Sequence, residues 1–212
     1  MLLTLQQLLP IPLRDRLQAR PSAIWMNQLS WGSEEQIFIQ APSGTGKTTL
    51  IHILYGLRPD FEGKVLWDQQ EITEREAWAT LRTQQVSVIF QDLRLFPELT
   101  AWENLEIKRT LTNTVSEATV LEWMDRLGIK DKQQSLGKTL SYGEQQRVAI
   151  IRALLQPFKW LLMDEPFSHL DKENTRKAIE LIHEVVRQNK ASFLLADLDE
   201  NHYFPYTQTL SL

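Results

Sequence analysis

The sequence of 212 residues predicts an α/β protein with a mostly parallel sheet core, an N-terminal antiparallel β portion and a helical insertion. Three observations carry this expectation. Short apolar runs rich in strand formers alternate with helical patterns in both outer thirds of the chain. A glycine-containing loop, Ala41-Pro-Ser-Gly-Thr-Gly-Lys-Thr-Thr49, stands between one such run and a helical pattern. From Asp92 to Gly137 the pattern turns helical. With 42% hydrophobic residues, a chain of this length buries a full core as one unit and needs no second independent domain. The expected division is a single domain, with residues 1–91 and 138–212 forming the core and residues 92–137 a helical subdomain.

Taken in order, Leu2 to Pro10 reads as a first strand. It lacks a basic leader and is interrupted by Gln6, Gln7 and Pro10, so it is a poor secretory signal. Ile37 to Gln40 is a strand, and Leu50 to Tyr55 has the apolar density of a buried helix face. Gly63 to Asp68 comes after the Pro59-Asp60 turn as a short strand, and Val86 to Phe90 is another. Val115 to Leu127 places Val120, Leu121, Met124 and Leu127 on one helix face, with Gly128 as its stop. Trp160 to Met163 is a buried strand, Asn174 to Asn189 a helix and Ala191 to Ala196 a further strand. Trp67, Trp123 and Trp160 fall within apolar patterns and belong to the core, whereas Trp102 does not. No run of about 18 apolar residues crosses the chain without charge, so no membrane span is expected.

A net charge of −4 gives no general basic surface, which removes electrostatic support for sequence-independent nucleic-acid binding. The absence of cysteine excludes disulfides and thiolate metal sites.

The chemistry concentrates in three segments. In the first, Gly44 and Gly46 let the backbone turn, so that the loop running from Pro42 and Ser43 through Thr45 directs its amide N–H groups at phosphate oxygens. The positive end of the next helix assists. Lys47 reaches the β- and γ-phosphates, Thr48 offers its hydroxyl to magnesium, and Thr49 contacts the α-phosphate side. Ala41 stands where such loops usually begin with glycine, and its methyl group requires a negative φ. In the second segment, Leu140-Ser-Tyr-Gly-Glu144, the Ser141 oxygen and the Glu144 carboxylate form a capping box at a helix start. In the third, Asp164 and Glu165 end an apolar strand, where carboxylates need a ligand to justify their burial.

Together with Phe90-Gln-Asp92 and Ser168-His-Leu-Asp171, these segments resemble the ATP-binding subunits of ABC transporters along almost the whole chain. The stretch Val88 to Asn104 looks like the subgroup serving lipoprotein release, cell division and macrolide-type export. The resemblance implies a P-loop NTPase fold and ATP with Mg2+ as ligands. It implies that Asp164 and Gln91 assist Thr48 at the metal, and that Glu165 is the general base on the attacking water, with Lys47 stabilising charge. Gln91 would bind the metal or the water and report nucleotide state to the helical part. Ser141 and Gly143 would approach the γ-phosphate held by a second copy or a paralogue. The partner implied is an integral membrane subunit, with this chain cytoplasmic and peripheral on the inner face of the membrane.

Three positions depart from the family pattern. Tyr142 replaces a glycine, Asp197 stands at the switch histidine in Leu194-Leu-Ala-Asp-Leu-Asp199, and Pro10-Ile-Pro-Leu13 offers no ring to stack on adenine. Trp25 is available in sequence but does not match that motif, and His202 lies five residues beyond Asp197. Two alternatives stand beside the transporter ATPase: a regulatory module that closes on ATP with little hydrolysis, which Tyr142 and Asp197 motivate, and a soluble ABC-type ATPase, which the family also contains.

Overall fold

A computed structural model describes residues 1–18, 21–198 and 202–212. Strand β1 (Leu3–Pro10) leads through a 3-10 turn (Ile11–Leu13) into the short helix α1 (Arg14–Gln18). Strands β2 (Gln28–Trp31) and β3 (Gln36–Gln40) precede α2 (Lys47–Leu54). Next come β4 (Phe61–Trp67), β5 (Gln70–Glu71), α3 (Arg75–Gln84) and β6 (Val86–Ile89). Helices α4 (Ala101–Thr112), α5 (Glu117–Arg126) and α6 (Tyr142–Leu154) succeed one another. The chain then alternates through β7 (Trp160–Asp164), α7 (Lys172–Asn189), β8 (Ser192–Asp197) and β9 (Gln208–Ser211).

Two sheets result. The order β2-β1-β4-β5 is antiparallel, and β6-β7-β8-β3-β9 is parallel in every pairing. The parallel sheet lies between two apolar cores, and the two-residue period of its strands feeds both. Phe38, Leu161, Met163, Phe193 and Leu195 enter the core shared with α4 to α7. Ile37, Ile39, Trp160, Leu162, Leu194 and Ala196 enter the core beneath the antiparallel sheet. β7 is buried along its whole length, so its last residue, Asp164, emerges at the carboxyl edge of the sheet, where open α/β folds place their ligands.

The antiparallel sheet closes on the other core through a bulge. The register of β1 on β4 shifts between Gln6 and Leu9, and Gly63 lets the two backbones meet there: a β-carbon on it would stand 2.3 Å from the Gln6 carbonyl oxygen.

In the helical segment, Thr100 and Glu103 cap α4, and Ser116 caps α5. The buried face of α5 is Val120, Trp123, Met124 and Leu127, while Leu121 is only half-buried. This corrects the expected face by one residue, because the i, i+3, i+4, i+7 stripe selects Trp123. Gly128 ends that stretch with φ +65°. Trp67, Trp123 and Trp160 are buried as expected, and Trp102 is half-buried against the helical core. Among the described residues no helix is long and apolar enough to cross a membrane.

Candidate functional site

The loop between β3 and α2 turns through Gly44 (φ +77°) and Gly46 (φ +104°), both in the left-handed region that glycine occupies without strain. Ala41, buried, keeps a negative φ as required. Thr45 fastens the loop to itself, its hydroxyl donating to the Pro42 carbonyl at 2.7 Å. Beneath it, Trp25 is buried, and its indole Nε1–H donates to the Thr45 carbonyl at 3.2 Å while its ring packs against Gly46. Trp25 therefore supports the loop from below and leaves no face for a base.

Lys47, the first residue of α2, is 6% exposed and points back across the loop. Its ammonium donates to the Ala41 carbonyl at 2.7 Å and stands 3.2 Å from Glu165 Oε1. The other Glu165 oxygen accepts from Gln91 Nε2 at 3.1 Å, and Gln91 Oε1 accepts from the Thr48 hydroxyl at 3.3 Å. One chain of contacts thus joins Lys47, Glu165, Gln91 and Thr48, drawn from the start of α2, the end of β7 and the end of β6. Glu165 holds φ +46°, a conformation costly for a residue with a β-carbon and fixed here by its N–H to the Ala196 carbonyl at 2.9 Å.

Asp164 lies beside this chain, 1% exposed, with its Oδ1 buried and without a hydrogen-bond partner. Burial pushes its carboxyl up to about 6; the Thr48 hydroxyl opposes the shift and the Glu165 charge adds to it. An orphaned buried carboxylate oxygen beside a threonine hydroxyl and an amide oxygen is a hard-oxygen donor set of the kind Mg2+ takes, so the residues present fit that ion.

A cleft of about 270 Å³ brings together Ser43, Gly44, Gly46, Lys47, Thr48, Thr49, Gln91 and Glu165. Pro42 and Thr45 complete the loop, and Thr49 accepts a bond from Arg58 at 3.3 Å. Ser141 and Gly143 are not among the residues lining that cleft. They begin α6, with both halves of the capping box formed, and Gly143 lies against the His169 carbonyl, where a β-carbon would approach to 2.9 Å. Tyr142 is 66% exposed beside them, its ring centroid 4.9 Å from that of His169. Asp197 ends β8 next to the loop: its carbonyl accepts the Ala41 N–H, and its Oδ1 accepts the Leu198 N–H at 2.7 Å. Asp199 is outside the described residues, and His202 is exposed.

Sequence reasoning missed two wall residues and one brace. Leu13 and Arg16, on the turn after β1, line the cleft; Leu13 reaches Gly46, and the Arg16 Nη2 lies 3.2 Å from where a β-carbon on Gly44 would stand. The signal was present in their i, i+3 spacing, which puts both on one face of a helical turn. Gln146 is 1% exposed and binds the loop after Glu165. It falls in step with Ala149, Ile150 and Ala153 on the apolar face of α6, where a polar residue needs a reason.

A profile of the ABC transporter family matches residues 26–168. The chain belongs to the ABC transporter family. It is 34% identical over 170 residues to the lipoprotein-releasing system ATP-binding protein LolD of Shewanella oneidensis, covering 78% of this chain and 74% of that one. It is 36% identical over 169 residues to the aliphatic sulfonates import ATP-binding protein SsuB of Bacillus cereus, covering 79% of this chain. Only 64% of that relative's length is spanned. Among solved structures, the dimeric ABC transporter cassette MJ0796 shares the fold with a TM-score of 0.78 at 24% identity, over 93% of this chain and 88% of its own. The ABC family thus accounts for the order of loop, α6 start and acidic strand end along the chain.

Proposed function

We propose that this ABC chain binds and hydrolyses ATP as the cytoplasmic, peripheral subunit of a transporter, closing against a second ABC subunit to drive an integral membrane partner. The observation that carries the reading is the contact chain Lys47–Glu165–Gln91–Thr48 around Asp164, whose buried Oδ1 has no hydrogen-bond partner. It assembles a cation for phosphate, a carboxylate for a proton and an oxygen set for a metal within one cleft.

In this mechanism the loop from Pro42 to Gly46, with Lys47, Thr48 and Thr49, cradles the triphosphate through its N–H groups, ammonium and hydroxyls. Thr48, Gln91 and Asp164 would hold Mg2+, which shields the phosphate charge when bound. Water attacks the γ-phosphorus, Glu165 takes its proton, and the bond to the β–γ bridging oxygen breaks to leave ADP and phosphate. Gln91 touches both Glu165 and Thr48, so movement of the segment it begins alters the base and the metal side together. Ser141, exposed, and Gly143, half-buried against the His169 carbonyl, stand at the positive end of α6 and serve the nucleotide of a second copy or a paralogue. Residues 1–91 and 138–212 act as the nucleotide-binding core of a single domain, with residues 92–137 as its helical subdomain.

A cleft of about 230 Å³ between α4 and the sheet supports a membrane partner. Tyr55, Phe90 and Phe96 give it apolar walls, and Lys108 and Arg152 line it beside them. The regulatory alternative draws on Tyr142 and Asp197. Steady-state phosphate release by the purified chain, with and without a co-purified membrane subunit, decides between them: turnover raised by the partner supports the motor, and binding without turnover supports the regulator.

A further inference from the structure

Glu165 carries the base, yet its backbone sits in a conformation that its own chain does not favour. Its N–H is held by β8, through the Ala196 carbonyl. Its carbonyl is held from the opposite side by Gln146 of α6, whose Nε2 donates to the Glu165 oxygen at 3.3 Å and approaches the Ser168 hydroxyl at 3.4 Å. The Gln146 Oε1 accepts the His169 N–H at 2.9 Å. Both ends of one buried amide are therefore committed to the loop Glu165–His169.

Packing alone does not call for glutamine here. Position 146 lies on the apolar stripe of α6, where leucine or methionine would fill the same volume without desolvating an amide. What glutamine adds is a donor and an acceptor, and both reach the backbone that aims the base. The same helix begins at Ser141, so the segment that turns outward and the side chain that fixes Glu165 belong to one rigid rod about one and a half turns apart.

We infer that Gln146 is a positioning residue for Glu165, and that through it each subunit's base is set by the same helix that meets the nucleotide of the second copy. The link to the second copy rests on the proposed ATP-driven pairing; the brace itself rests on the hydrogen bonds.

The test uses Gln146→Met, which keeps length and volume and removes the amide, in the full chain. Amide hydrogen exchange of the peptide covering residues 165–170 is expected to quicken at least fivefold, because the His169 N–H loses its acceptor. The kcat for ATP is expected to fall at least tenfold, with KM within twofold. In the Glu165→Gln background, adding Gln146→Met is expected to lower residual hydrolysis no further, since the group it positions is already gone. Unchanged exchange, an unchanged kcat, a loss shared equally by kcat and 1/KM, or an additive loss in the double variant overturns the inference and leaves the proposed function standing. A wild-type chain that binds no ATP overturns the proposed function, and the inference with it.

Discussion

The Lys47 ammonium stands 3.2 Å from the Glu165 carboxylate, both almost wholly buried. In the proposed mechanism the cation for phosphate and the base for water are thus each other's partner. A triphosphate bound as proposed would compete with Glu165 for Lys47 and leave the carboxylate held by Gln91.

Replacing Lys47 with Ala is expected to weaken ATP binding at least a hundredfold, measured by titration. The fold is expected to survive, because Glu165 keeps its bond from Gln91, but the buried carboxylate loses its counter-charge at a cost of about 3–5 kcal/mol. Unchanged affinity on folded protein would remove Lys47 from the site.

Glu165→Gln keeps the shape of the base and its contact with Lys47's neighbourhood while abolishing proton acceptance. ATP binding is expected to persist, turnover to fall at least a hundredfold to a small residual rate, and a dimer formed with ATP and Mg2+ to accumulate on a sizing column. Turnover at the parent rate would show that another group takes the proton.

Asp164 gives a prediction with pH. Its folded pKa of about 6 lies above its ordinary 3.8, so the folded chain binds more protons than the unfolded chain between those values. The group's contribution to stability is fully present below about pH 3.8 and is lost as pH rises through about 6, by up to about 3 kcal/mol. Asp164→Asn escapes that loss. It is expected to melt higher than the parent at pH 7.5, with the gain shrinking toward pH 4, while Mg2+-dependent hydrolysis disappears. A lower melting temperature at pH 7.5 would refute the assignment of an uncompensated buried charge.

Arg16→Ala removes a guanidinium that overlies Gly44 in the cleft. A charge-assisted bond to phosphate at a partly exposed site is worth about 1–2 kcal/mol, so ATP affinity is expected to fall about five- to thirtyfold, and Arg16→Lys to recover part of it. Equal affinity in all three proteins would leave Arg16 as a bystander.

Legibility in the sequence tracked how local each residue's constraint is. Lys47, Thr48, Gln91, Asp164 and Glu165 sit where strands end or helices begin, and such residues are legible because the junction fixes the direction of their side chains. Ser141 and Glu144 were legible for the same reason, since a capping box is a local arrangement. Leu13 and Arg16 were legible only as a pair sharing one face of a helical turn; that this face meets the loop at Gly44 and Gly46 is a tertiary contact across a long sequence gap. Trp25 was ambiguous in sequence and became a support only once the fold placed it under Gly46. Gln146 was visible as a polar residue on an apolar stripe, but its partners, nineteen and twenty-three residues away, were not.

Asp197 bears on the choice between motor and regulator. Its backbone is pinned beside the phosphate loop, since its carbonyl takes the Ala41 N–H at 2.9 Å. Its side chain already accepts the Leu198 N–H, and its charge is felt by Tyr206, whose phenol burial pushes up first and Asp197 further. A histidine here can donate to the γ-phosphate, whereas an ionised carboxylate about 5 Å away would be repelled by about 3 kcal/mol at an effective dielectric near 20. The Leu198 bond offers the carboxylate an orientation of its own, so the parent is expected to bind ATP with nearly normal affinity and hydrolyse it slowly. Asp197→His is expected to raise basal phosphate release at least fivefold with little change in ATP affinity, the two proteins being compared with and without a membrane partner. Fast turnover by the parent with no gain in Asp197→His would place the γ-phosphate donor elsewhere, and Arg16, already over Gly44, is the residue to substitute next.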